Sequence, residues 1–117
     1  MKRQGNLVKF THFHGYCGLG GAAQGFGKSS ARWKDLEASF VCLGGFDSDP
    51  GAVEAFTRRV GVQGTVLDMF TRDDYEAFHG SKPPAGWKEA SLADVWAAMQ
   101  GEVPDVYFAS PPCQPVS

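Results

Sequence analysis

The 117 residues carry 11 Lys and Arg against 13 Asp and Glu, for a formal net charge of −2, and 43% of them are hydrophobic and 21% charged. That balance fits one folded domain, argues against disorder or a fibrous repeat, and is the wrong sign for a chain that grips DNA along its whole surface. No apolar stretch reaches the roughly 18 residues that a spanning helix needs, and Met1-Lys2-Arg3-Gln4-Gly5 leads into a strand-like run and not a signal sequence, so a soluble, cytoplasmic chain with no membrane partner is expected. Its three cysteines, Cys17, Cys42 and Cys113, show no C-x-x-C spacing. Reduced thiols fit them better than a disulfide framework or a structural zinc site.

Leu7 to Phe13 alternates apolar and polar residues and runs into a glycine cluster, Gly15 to Gly21, which predicts a first strand and a tight turn. A short helix from Ala22 is interrupted near Gly25 and Gly27, and the polar stretch Lys28 to Glu37 reads as helix or insertion. Ser39 to Phe46 is a compact apolar run closed by Gly44 and Gly45, the form of a buried parallel strand, and it delivers Asp47. Asp49 and Pro50 then open a helix with Ala52, Val53, Phe56 and Val60 on one face, ended by Gly61. A third strand, Val62 to Leu67, leads to Asp68. After a loop at Ser81 to Gly86, a helix is expected from Glu89 to Met99 with Leu92, Val95, Trp96 and Met99 on one side. The fourth strand, Asp105 to Ala109, ends at Pro111-Pro112-Cys113. Strands alternating with helices, with the chemically interesting residues just past strand ends, predict a single partial α/β domain over residues 1–117, built on about four parallel strands with flanking helices.

Three constellations carry chemistry. Tyr16-Cys17-Gly18-Leu19-Gly20-Gly21 is a glycine turn between strand and helix, where bare backbone can approach a ligand and offer its N–H groups. Such a turn suits a dinucleotide or simple helix packing equally well. Asp47 and Asp68 follow the next two strands; an acid in the first of these places accepts ribose hydroxyls in nucleotide-binding folds, and the second suits an exocyclic amine but by itself reads as an ordinary strand-end aspartate. Ser110-Pro111-Pro112-Cys113-Gln114-Pro115-Val116-Ser117 is the most specific. Three prolines in five residues forbid helix and strand and impose a stiff loop that presents Cys113 beyond the sheet.

That last segment resembles the catalytic Pro-Cys-Gln motif of the DNA (cytosine-5)-methyltransferases, with Val116 where the family has Phe. The earlier elements fall in the family's order: Tyr16 to Gly21 is similar to its Phe-x-Gly-x-Gly-Gly cofactor loop, Asp47 stands at its acidic ribose ligand, and Asp68 at the aspartate that binds the adenine amine. His14 and Ser48 depart from the acidic and aromatic residues usual at those places. The resemblance implies a Rossmann-like sheet that binds S-adenosylmethionine through Tyr16, Cys17, Gly18, Leu19, Gly20, Gly21, Asp47, Ser48, Asp68 and Pro111. It implies Cys113 as the nucleophile that adds to C6 of a flipped cytosine in double-stranded DNA, in a bacterial or phage-like setting.

The family's Glu-Asn-Val motif, catalytic arginine and target-recognition region have no counterpart among these residues, so the chain alone is expected to be inactive and only marginally stable, with one sheet edge unpaired. Two other readings share the same residues. One is a non-catalytic cofactor-binding fragment, or one chain of a split enzyme whose complementary chain supplies the missing groups. The other is an NAD-dependent oxidoreductase using the same turn and Asp47. A metal site from His12, His14 and Cys17 lacks a fourth ligand at a sensible spacing.

Overall fold

A computed structural model describes residues 1–111. In chain order the elements are β1 (Lys2–Gln4), β2 (Leu7–Gly15), α1 (Gly21–Lys28), β3 (Ala31–Trp33), β4 (Leu36–Asp47), α2 (Pro50–Val60), β5 (Gly64–Val66), α3 (Arg72–His79), α4 (Leu92–Ala98) and β6 (Val106–Ala109). The expected catalytic loop from Pro112 through Cys113 to Ser117 lies outside the described residues.

The sheet corrects the expected fold class. It is a mixed sheet of six strands, not an all-parallel Rossmann-like sheet of about four. Two long strands, β2 and β4, run parallel down its middle, from Leu7 opposite Glu37 to Gly15 opposite Phe46. At their carboxyl end β6 pairs with β2 and β5 with β4, both parallel. At their amino end β1 pairs with β2 and β3 with β4, both antiparallel.

The two antiparallel strands arise from short polar segments that carry no apolar alternation. Gly5 at φ 60 and Lys34 at φ 56 each stand first in a two-residue connection, the place where a hairpin turn needs positive φ. The stretch expected as helix or insertion is therefore β3 and its turn, and β4 begins three residues before the apolar run at Ser39.

Burial follows the connections. The carboxyl half of β2 is buried on both faces, as is β4 from Leu43 to Phe46, because helices cover both sides there. On one face Phe13, Leu43, Phe46 and Ala98 form the core, with Tyr16, Leu67 and Met99 packed against it. Gln100 Nε2 donates to the Leu43 carbonyl at 2.8 Å and ties the end of α4 to this face. On the other face Phe56 of α2 is fully buried against Gly45 and Gly64. Asp49 caps α2 by accepting the Gly51 N–H at 3.0 Å, Pro50 begins it, and Gly61 closes it at φ 79.

The last helix departs from its expected face. Leu92 is 90% exposed and Trp96 48%, whereas Val95 is half-buried, Met99 packs against the core as expected, and Ala98 is the helix residue that is buried. Its start is set by a capping box, in which Ser91 and Asp94 satisfy each other's backbone N–H groups. Helix α3, where the sequence indicated no element, buries none of its residues. Among the described residues β6 pairs with β2 alone, leaving Tyr107 and Phe108 substantially exposed. No helix among them is long and apolar enough to cross a membrane.

Candidate functional site

Three strand ends converge at the carboxyl edge of the parallel pairs. β2 ends at Gly15 and turns through Tyr16-Cys17-Gly18-Leu19-Gly20 into α1, β4 ends at Asp47, and β5 ends at Val66, two residues before Asp68. The Leu67 N–H donates to the Asp47 carbonyl at 3.0 Å, so the chain after β5 passes directly beside Asp47.

Asp47 organises the turn. Its Oδ2 accepts the Gly18 N–H at 3.0 Å and its Oδ1 accepts the Asp49 N–H at 3.0 Å. An ionised carboxylate offers about four lone-pair sites, so two remain for a ligand such as a vicinal diol. The Cys17 N–H donates to the Phe46 carbonyl at 2.8 Å, fixing the start of the turn to the neighbouring strand.

Tyr16 holds a left-handed backbone at φ 54, a conformation that costs a non-glycine residue about 1–2 kcal/mol. Its ring packs edge-on against Phe46 at 5.2 Å, turned towards the core and not standing free above the sheet edge. Gly20 at φ 87 lies so close to α2 that an added Cβ would meet Val60 Cγ2 at 2.8 Å. The glycine there serves helix packing as well as any ligand. Leu19 and Ser48 are exposed, and Gly21 is the first residue of α1. The Cys17 thiol is pushed up to about 11 by burial and by the nearby Asp47 carboxylate, which leaves it protonated and unsuited to nucleophilic work at neutral pH.

Asp68 is already engaged. Its Oδ2 accepts the Trp87 indole N–H at 3.1 Å and its Oδ1 the Phe70 N–H at 3.2 Å. Trp87 in turn packs against Tyr75 in a tilted arrangement at 5.1 Å and lies under the Arg72 guanidinium at 5.4 Å. An adenine amine seeking Asp68 would therefore share the carboxylate with an indole that already donates to it. No local pattern signals this contact, because Trp87 lies in the coil after Pro83-Pro84 with no periodicity to place it.

Pro111 is exposed and follows β6, whose position is fixed at both ends. Asp105 accepts from the Thr11 N–H at 2.8 Å and from the Met1 amino group at 2.6 Å, while the Ser110 N–H reaches the Gly15 carbonyl at 3.4 Å. Ser110, three residues before Cys113, thus starts beside the glycine turn.

Behind the turn a second cluster stands together, His12, His14 and Cys42; no metal site was expected from the sequence, where a trio with Cys17 is set aside for want of a fourth ligand. Burial lowers both imidazoles, and with the neighbouring His12 it takes His14 down to about 4. Burial also pushes the Cys42 thiol up. Cys17 and Cys42 are both free thiols. Comparisons with family models, curated proteins and solved structures found no significant match to this chain.

Proposed function

We propose that the chain is the cofactor-binding part of a DNA (cytosine-5)-methyltransferase, taking S-adenosylmethionine at the turn after β2. The observation that carries this reading is the hydrogen bond from the Gly18 N–H to Asp47 at 3.0 Å. It joins the two motifs that the resemblance assigns to the cofactor, and it leaves carboxylate lone pairs for ribose hydroxyls. Backbone N–H groups at the start of α1 suit the anionic end of a ligand.

In the reaction that the resemblance implies, the Cys113 thiolate adds to C6 of a flipped cytosine and makes C5 nucleophilic toward the cofactor's methyl group. Cys113 belongs to the Pro-Pro-Cys-Gln-Pro sequence that begins two residues after β6, and β6 lies against β2, the strand that leads into the proposed cofactor turn. The glutamate that protonates the ring and the arginine that accompanies it must come from further sequence or from a complementary chain, as must most of the grip on double-stranded DNA. A reducing, cytoplasmic setting suits the free thiols.

Calorimetry with S-adenosylmethionine tests the cofactor half. Asp47→Ala is expected to weaken binding by roughly 1.5–3 kcal/mol, about ten- to 150-fold. An unchanged dissociation constant would remove Asp47 from the site, and a tighter interaction with NADH than with S-adenosylmethionine would favour an oxidoreductase. With the complete protein, Cys113→Ser is expected to abolish the covalent adduct with a fluorinated cytosine in DNA while leaving cofactor affinity nearly intact.

A further inference from the structure

His12, His14 and Cys42 share the sheet face that α1 covers. Strand alternation places both histidines of β2 on one side, and Cys42 is the register partner of His12 on β4. The two imidazoles are fully buried, with His12 Nδ1 2.7 Å from His14 Nε2, and one donor atom from each of the three residues lies within 4.8 Å of the others. His12 Nε2 is buried with no hydrogen-bond partner. Around the cluster stand three aromatic rings: Phe26 stacks on His12 at 4.9 Å, Phe40 meets it at 6.4 Å, and Phe108 lies 5.5 Å from His14. A position that needed only apolar filling would avoid two imidazoles, since an unmet buried nitrogen alone costs about 1–3 kcal/mol.

We propose that His12, His14 and Cys42 form a buried site for one copper(I) ion. Two imidazoles and a thiolate are a donor set that soft metal ions favour, and copper among them. Charge selects the monovalent ion. Two neutral imidazoles, one thiolate and Cu(I) sum to zero, which suits a buried place in ring contact with Phe26, Phe40 and Phe108 and needs no counter-ion. Zinc(II) would leave a net positive charge there and would seek a fourth ligand, and the cluster contains three.

Binding exchanges the S–H bond of Cys42 for an S–Cu bond and releases the proton to solvent, with no change in the oxidation state of copper. His12 Nδ1 and His14 Nε2 now share a hydrogen bond at 2.7 Å; binding exchanges it for two metal–nitrogen bonds, whose nitrogens stand about 3.3–3.5 Å apart when each lies about 2.0 Å from one ion. α1 covers the cluster, and its Gly21, Gly25 and Gly27 lower its helix propensity.

The test is an anaerobic titration of the reduced 117-residue chain with Cu(I) supplied as its bicinchoninate complex, paired with X-ray absorption at the copper edge. Withdrawal of one equivalent of copper and a shell of two nitrogens and one sulfur are expected. Cys42→Ser and His14→Ala should each weaken retention by more than about tenfold, and zinc(II) should not displace the copper. No withdrawal would overturn the proposal. So would a two-sulfur shell, which points to Cys113 or Cys17, or preferential uptake of zinc. The absorption spectrum of the unaltered chain decides the matter even where a variant fails to fold.

Discussion

At their carboxyl ends β2 and β4 are flanked by parallel β6 and β5 and buried on both faces; at their amino ends they are flanked by antiparallel β1 and β3, every residue of which is exposed. The same two strands thus have a core at one end and a bare ribbon at the other. The cause lies in how neighbours are reached. A parallel neighbour needs a long crossover, and the crossovers here contribute α1, α2 and α4, which cover the sheet. An antiparallel neighbour needs two residues of turn and brings no cover. The candidate site residues therefore gather at the parallel end, where the loops after β2, β4 and β5 rest on a packed base, while the antiparallel end extends the ribbon and presents an apolar groove beside Trp33, Phe10 and Arg3.

Substitutions at the two ends should separate them sharply. The largest effect is expected for Phe56→Ala, which empties a fully buried position against Gly45 and Gly64 and should cost about 3–5 kcal/mol in denaturant melts of the 117-residue chain. Acid should act through the same end. His14 is held at about 4 when folded against 6.5 when free, so between those values the unfolded chain binds the extra proton. Stability is then full above about pH 6.5 and is lost as pH falls toward 4, by up to roughly 3 kcal/mol, and His14→Phe should flatten that slope. Asp49→Ala removes the cap of α2 and should cost about 1 kcal/mol in the same melts. Arg32→Ala at the antiparallel end breaks only an exposed ion pair with Glu37 at 3.8 Å, and its melt should shift by less than about 0.5 kcal/mol. A loss at Arg32 comparable with that at Phe56 would erase the distinction between the ends.

The two ends were also unequally legible in the sequence. Strong apolar runs bounded by glycines marked β2, β4 and α2, and Asp49, Pro50 and Gly61 gave the limits of α2 directly. The antiparallel strands were not legible, because Lys2-Arg3-Gln4 and Ala31-Arg32-Trp33 bury nothing and so carry no period to read. That omission is what turned a mixed sheet into an expected parallel one. Periodicity misled at α4 as well, where the apolar face through Leu92 and Trp96 points outward and the helix docks through Ala98. In the site, the order of turn, Asp47 and Asp68 could be read along the chain, but the bond between Gly18 and Asp47 depends on β2 and β4 being neighbours. Trp87 on Asp68, and Cys42 beside the histidines, are products of tertiary placement that no local pattern announces.

Amide chemical shifts of the 117-residue chain, followed while S-adenosylmethionine is added, test the proposed cofactor site most directly. Binding at the parallel end should move the N–H signals of Gly18, Leu19, Gly20, Gly21, Ser48 and Asp49 and leave those of Lys2–Gln4 and Ala31–Trp33 in place. Shifts confined to the antiparallel end, or none at saturating cofactor, would contradict the assignment of the turn after β2 as the cofactor site.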